Sequence, residues 1–242
     1  MPRQFGIPED VIRDVMLWKS RPSAYSDYMK PIHDKHVIGV NNAYQIGTWI
    51  DALFFGDSSW YLVHRQALAK WPGLKVSCSP RFSNRHGKEL EGVRYMPKDR
   101  TKRHGISNNP CSISWNGNSG AAAINLAIHM GAKRIALLGF DMDVDGNQIS
   151  HWHGGHNRSS TSFKKKKAPP FTRHLMGFGP IAEDAQKLGI EILNVSFVSK
   201  INNFRKVELK DVLGDAKDVV GMLGSFAGRG SVTSSIAERQ EV

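Results

Sequence analysis

The run Asp141-Met-Asp143-Val-Asp145-Gly146 sets three carboxylates at alternate positions. In an extended segment alternate side chains share one side, so the spacing predicts three acids facing a single hard divalent cation. Three readings stay open. A calcium loop begins Asp-x-Asp-x-Asp-Gly, but its twelfth position, where a bidentate Glu belongs, is Trp152 here. An Asp-x-Asp can instead hold a metal–diphosphate. Acids also close many strands with no metal at all. A second cluster follows at His151-Trp-His153-Gly-Gly-His156, three imidazoles within six residues. They could ligate a transition metal, supply an acid or base, or form an exposed His-rich loop. No cysteine accompanies them, so a closed structural zinc site is not expected. His174 is a further candidate base ahead of an expected helix at 179–188.

These groups need elements to hold them. Asn118-Ser119-Gly120 opens a stretch with apolar residues at helical spacing, expected as a helix over 119–131 and stopped by Gly131. Ser119 is suited to cap it, and Gly120 allows another group to approach the backbone closely. The continuous apolar run Ile135 to Leu138 reads as a strand covered on both faces, over 134–140. Ligands of open α/β sheets sit at strand carboxyl ends and at helix N-termini, and this segment offers both. Asn41-Asn42 and Asp57 each follow an expected strand, 36–40 and 50–55. There they could read a ribose or base, or simply build turns. Further expectations are helices at 9–19, 60–71 and 208–213, and strands at 75–78, 93–95, 111–114 and 190–195. Residues 144–176 read as one long polar loop.

Alternating strands and helices predict an α/β fold, three-layer and Rossmann-like, with a mostly parallel sheet and helices on both faces. The chain divides into a helical N-terminal extension (1–35), the α/β domain (36–213) and a Gly/Ser-rich tail (214–242) expected to be partly disordered. The 242 residues carry a formal charge of +11 and 40% hydrophobic residues. Lys and Arg concentrate in 65–103 (11 against 3 acids) and in 158–173 (6 against none). Such segments suit a polyanion such as DNA, RNA or nucleotide phosphates, or form a solvated basic surface. No run of 18 apolar residues predicts a membrane span. Two distant cysteines and no leader pattern predict a cytoplasmic setting. The dinucleotide-binding Gly-x-Gly-x-x-Gly, the ATP P-loop and the Gly-x-Ser-x-Gly elbow are missing, so NAD, P-loop kinase and serine hydrolase chemistry are disfavoured.

With Asn118-Ser119-Gly120 and Leu138-Gly-Phe-Asp141-Met142, the chain resembles a family of Rossmann-like proteins common in bacteriophage genomes. That family is related to the 6-hydroxymethylpterin diphosphokinase-like domain and, more distantly, to bacterial CMP-sialyltransferases. Val37-Ile-Gly-Val-Asn41, Leu53-Phe-Phe-Gly-Asp57, His151 to His156, Ile190 to Asn194 and Phe204 to Leu209 extend the resemblance over roughly 36–213. It implies nucleotide contact by Asn41 and Ser119, with Asp57 beside the sugar nucleotide. His174 falls near the catalytic base position of the sialyltransferase branch. The family's opening Gly-x-Gly-Pro-Ser phosphate loop has no counterpart in residues 1–35.

The expectation is therefore a phage-encoded transferase using a nucleotide-activated sugar, in the cytoplasm of an infected bacterium. Asn41, Asp57, Asn118, Ser119 and Gly120 would bind nucleotide. Asp141, His151, His153, His156 and His174 would carry the chemistry. Asp141, Asp143, His151 and His153 would hold Mn or Mg, with Zn less suited. Two rivals are a non-catalytic nucleic-acid-associated or virion protein on the same fold, and a metal-dependent phosphohydrolase.

Overall fold

Three short parallel strands set the frame of the first sheet. The computed structural model describes residues 2–83, 92–143 and 171–213. Strand β1 (Ile38–Val40) pairs in parallel with β2 (Ala52–Phe55), and β2 with β3 (Leu74–Ser77). A fourth strand, β4 (Val93–Tyr95), completes the order β1-β2-β3-β4. Every residue of β2 is buried, which is why its Ala-Leu-Phe-Phe sequence shows no alternation. Parallel neighbours need crossovers, and helix α2 (Ser58–Lys70) supplies the one between β2 and β3.

The second sheet holds β5 (Arg134–Leu137), β6 (Glu191–Asn194) and β7 (Arg205–Lys206), again all parallel. Helix α3 (Ser119–His129) packs on β1 and β2, and the buried residues of both sheets join one apolar cluster. The fold is α/β and Rossmann-like, with its parallel strands in two hydrogen-bonded sheets rather than one ladder.

The N-terminal residues form helix α1 (Glu9–Met16) and an 11-residue 3₁₀ stretch, Pro22–Ile32. The periodicity gave no sign of the latter. Pro22 presets the first turn and Pro31 removes a backbone donor, while Tyr25, Met29 and Ile32 are buried on one side. Burial pushes the Tyr25 hydroxyl pKa up to about 12.

Several boundaries shift from expectation. Helix α3 ends at His129 because Gly131, at φ +95°, turns the chain; Ala132 N–H then bonds Ala127 O at 3.0 Å and Gly131 N–H bonds Ile128 O at 2.9 Å. The strand expected at 111–114 is a single parallel bridge, Lys98 to Ile113: just before it the chain turns, with the Ser112 N–H bonding Asn109 O at 3.0 Å and the Cys111 N–H bonding Asn109 Oδ1 at 2.9 Å. The long loop expected over 144–176 gives way to helix α4 (Phe171–Leu175), followed by α5 (Phe178–Lys187) and, at the end, α6 (Leu209–Leu213). Residues 144–170 and 214–242 lie outside the described residues, and with them the expected tail. Among the described residues no helix is long and apolar enough to cross a membrane.

Candidate functional site

The register Val40↔Phe54 and Phe54↔Val76 sets the carboxyl ends of β1, β2 and β3 in one row. Asn41 follows β1 in the left-handed region, at φ +51°, which Asn tolerates better than most residues. It is half-buried. Its neighbour Asn42 is buried, and its Oδ1 accepts the Trp60 indole N–H at 2.6 Å. Trp60 stacks on His64 at 4.4 Å, and His64 Nδ1 lies 2.9 Å from the Tyr44 hydroxyl. Asn42 is thereby committed to packing. Asp57 is exposed beyond β2 and caps α2: its Oδ1 accepts both the backbone N–H and the hydroxyl of Ser59 at 2.8 Å.

The opening of α3 differs from expectation in one respect. Asn118, not Ser119, is the cap, because only its side-chain oxygen reaches the Ala121 N–H, at 2.8 Å. The Asn118 amide also donates to His174 O at 3.0 Å. Ala122 N–H bonds Asn118 O, so the amides of Ser119 and Gly120 are left at the mouth of the helix without an intrahelical acceptor. A Cβ added to Gly56, just past β2, would lie 3.3 Å from Ser119 Oγ and would overlap the Trp115 ring. A Cβ on Gly120 would come within 2.7 Å of the Phe140 ring. The α3 start is therefore wedged between the end of β2 and the segment after β5, and both glycines are required by close approach. Trp115 and Phe140 fill part of that rim.

Across the second sheet, Asp141 Oδ1 accepts the Ser196 hydroxyl at 2.6 Å, and Asp143 pairs with Lys200 at 3.3 Å. The expected extended alternation of the acids breaks at Met142, whose φ of +52° turns the chain between Asp141 and Asp143. Asp145, His151, His153 and His156 lie outside the described residues, as does most of the basic segment 158–173. Among the described residues no cluster of three or more His, Cys, Asp or Glu could hold a metal.

His174 sits in α4, half-buried, with its carbonyl tied to Asn118. Burial, then the adjacent Arg173 charge, holds its pKa below the usual histidine value. A neutral imidazole there can accept a proton at neutral pH.

The structure thus brings Ser119 and Gly120 against Gly56 and Phe140, and places His174 beside Asn118. Phe140 places its chain neighbour Asp141 next to this rim. Sequence reasoning named Gly56 only as the strand end beside Asp57, without its close approach to Trp115, and did not single out Trp115 or Lys98. Lys98 Nζ lies over the Trp115 ring, 4.2 Å from its centroid. The only signal for Gly56 was a glycine directly after an apolar strand, and Trp115 carried none. Comparisons with family models, with curated proteins and with solved structures find no match to this chain.

Proposed function

We propose that the chain binds the phosphate-bearing part of a nucleotide at the carboxyl edge of its parallel strands and transfers a group, most simply a sugar, from that activated donor. One observation carries the reading: two amides without an intrahelical acceptor lie at the α3 mouth, between the end of β2 and the segment after β5, where Gly56 and Gly120 keep the backbone close. Helix mouths of this kind favour anions. The resemblance over residues 36–213 supports the transferase chemistry and a phage origin.

In this reading Asn41 and Asp57 contact the nucleoside, Asn118 sets the helix mouth, and Ser119 and Gly120 bind phosphate. His174 takes the proton of the attacking hydroxyl. A divalent ion at Asp141 and Asp143, with His151 and His153, would have to displace the Lys200 ammonium from Asp143. Calorimetry with CMP- and UDP-sugars, with and without manganese, tests the reading. Saturable heat with one donor is expected; silence with every donor overturns it.

A second reading is favoured by the exposed Arg65, Lys70, Arg81, Arg94, Arg100 and Arg103. It is a non-catalytic protein that holds nucleic acid by its backbone. Affinity for DNA that falls steeply with salt, without any nucleotide-sugar binding, would choose it.

A further inference from the structure

We infer that Lys98, laid over Trp115, is the cation that neutralises the ligand's phosphate at this rim. The inference rests on the nucleotide reading above and names the group that takes the place of a glycine-rich loop.

Lys98 is fixed by its backbone. Ile113 N–H bonds Pro97 O at 2.8 Å, and Asp99 N–H bonds Ile113 O at 2.8 Å, so the residue is clamped from both sides. That bridge holds Lys98 near Trp115, two residues beyond Ile113. Its ammonium then lies over the indole, and the indole lies over Gly56, next to Ser119 Oγ. Trp115 thus touches both Lys98 and the Gly56 backbone beside Ser119.

The carboxylate beside it in the chain does not neutralise it. Asp99 turns back into its own loop, where Oδ1 accepts the Thr101 N–H at 2.8 Å, the Thr101 hydroxyl at 2.7 Å and the Lys102 N–H at 3.0 Å. Its Oδ2 takes the Ser107 hydroxyl. Among the described residues Lys98 has no carboxylate partner, and its side chain is exposed. Its field reaches the strand ends: burial pushes the Cys78 thiol pKa up to about 11, and Lys98 is the charge that opposes this. Cys78 is the residue directly after β3. An ammonium resting on an aromatic face keeps its full charge and is already drawn to the place where an anion beside the ring would meet it.

The test compares wild type, Lys98→Met and Lys98→Arg by calorimetry. The probes are CMP and UMP, the matching nucleosides cytidine and uridine, and inorganic pyrophosphate. Lys98→Met is expected to weaken nucleotide and pyrophosphate binding roughly 10- to 100-fold, the usual range for a hydrogen bond to a charged group. Nucleoside binding should stay unchanged, and Lys98→Arg should keep nucleotide binding within about threefold, since guanidinium also stacks on indole. Equal nucleotide affinity in wild type and Lys98→Met overturns the inference and leaves the nucleotide reading standing. Equal losses for nucleotide and nucleoside also overturn it, because the lysine then only shapes Trp115. If pyrophosphate binds wild type but not Lys98→Met while no nucleotide binds, the anion site holds and the nucleotide reading falls. If neither binds wild type, both fall.

Discussion

Asn125, wholly buried in the middle of α3, donates its side-chain amide to the Gly105 carbonyl at 2.9 Å. Its oxygen accepts the N–H groups of Ser107 at 3.1 Å and Ser114 at 3.4 Å. One polar residue among the buried apolar residues of α3 thus ties down the loop that carries Lys98 and Trp115. Asn116, equally buried, completes the tie by exchanging bonds with Gly105. Replacing Asn125 by Leu leaves buried backbone groups unsatisfied, at about 1–3 kcal/mol for each group that water cannot reach. We expect a loss of about 2–4 kcal/mol and a Tm lower by roughly 5–15 °C, with a weakened nucleotide site as a consequence. Thermal unfolding checks this. A Tm within about 2 °C of wild type would show that the loop is held by other means.

Gly56→Ala drives a methyl group into the Trp115 ring. Overpacking of this kind costs typically about 1–3 kcal/mol, and here the simplest relief is for Trp115 to leave the rim. The expected result is a moderate Tm loss with a large loss of nucleotide affinity. Gly179→Ala is the matched control, because the nearest atom to its Cβ is Asn203 Nδ2 at 3.7 Å. In helix α5 that change should raise stability by a few tenths to about 1 kcal/mol. Similar Tm changes for the two variants would contradict the packing argument.

The reading of the residues located most of the regular structure because apolar runs and glycine stops are local signals. Ile135 to Leu138, Ala52 to Phe55 and Gly131 are each legible without knowing what lies opposite. The proposed site residues Asn41, Asp57 and Ser119 could be named only because they sit at the ends of such elements. What stayed hidden depends on contacts across long separations: Gly56 against Trp115, Gly120 against Phe140, Asn118 against His174. The cap was assigned one residue late because Ser and Asn are both good caps, and geometry alone chooses between them. The acidic run failed as an alternating strand because Met142 takes a positive φ, which no periodicity announces.

His129 gives the fold a definite response to acid. Burial lowers its pKa, against the opposing effect of its contact with Ser112 O at 3.1 Å. Above its unfolded value of about 6.5 both states are neutral and the residue makes no difference. As pH falls through that value the unfolded chain takes the proton first, so stability declines until the folded pKa is passed. His174 is shifted the same way and adds to the effect. Between pH 7.5 and 5.5 the Tm should fall, and His129→Gln should fall less steeply, since an amide can still donate to Ser112 O. An identical slope in the variant would remove His129 as a cause.

Asp57 separates a cap from a ligand contact. Its carboxylate closes the first turn of α2 through two bonds to Ser59, which alone accounts for an acid at a strand end. Asp57→Ala should cost about 1 kcal/mol by removing that cap. Asp57→Ser restores a capping oxygen but no charge, so it should recover most of the stability. If Asp57 also contacts the nucleoside, as proposed, Asp57→Ser will unfold like wild type yet bind CMP or UMP several-fold more weakly. Wild-type affinity in a wild-type-stable Asp57→Ser would reduce Asp57 to its role in α2 and shift the nucleoside contact to Asn41 alone. That outcome is measurable because the two roles make opposite demands on the serine: one needs an oxygen, the other a negative charge.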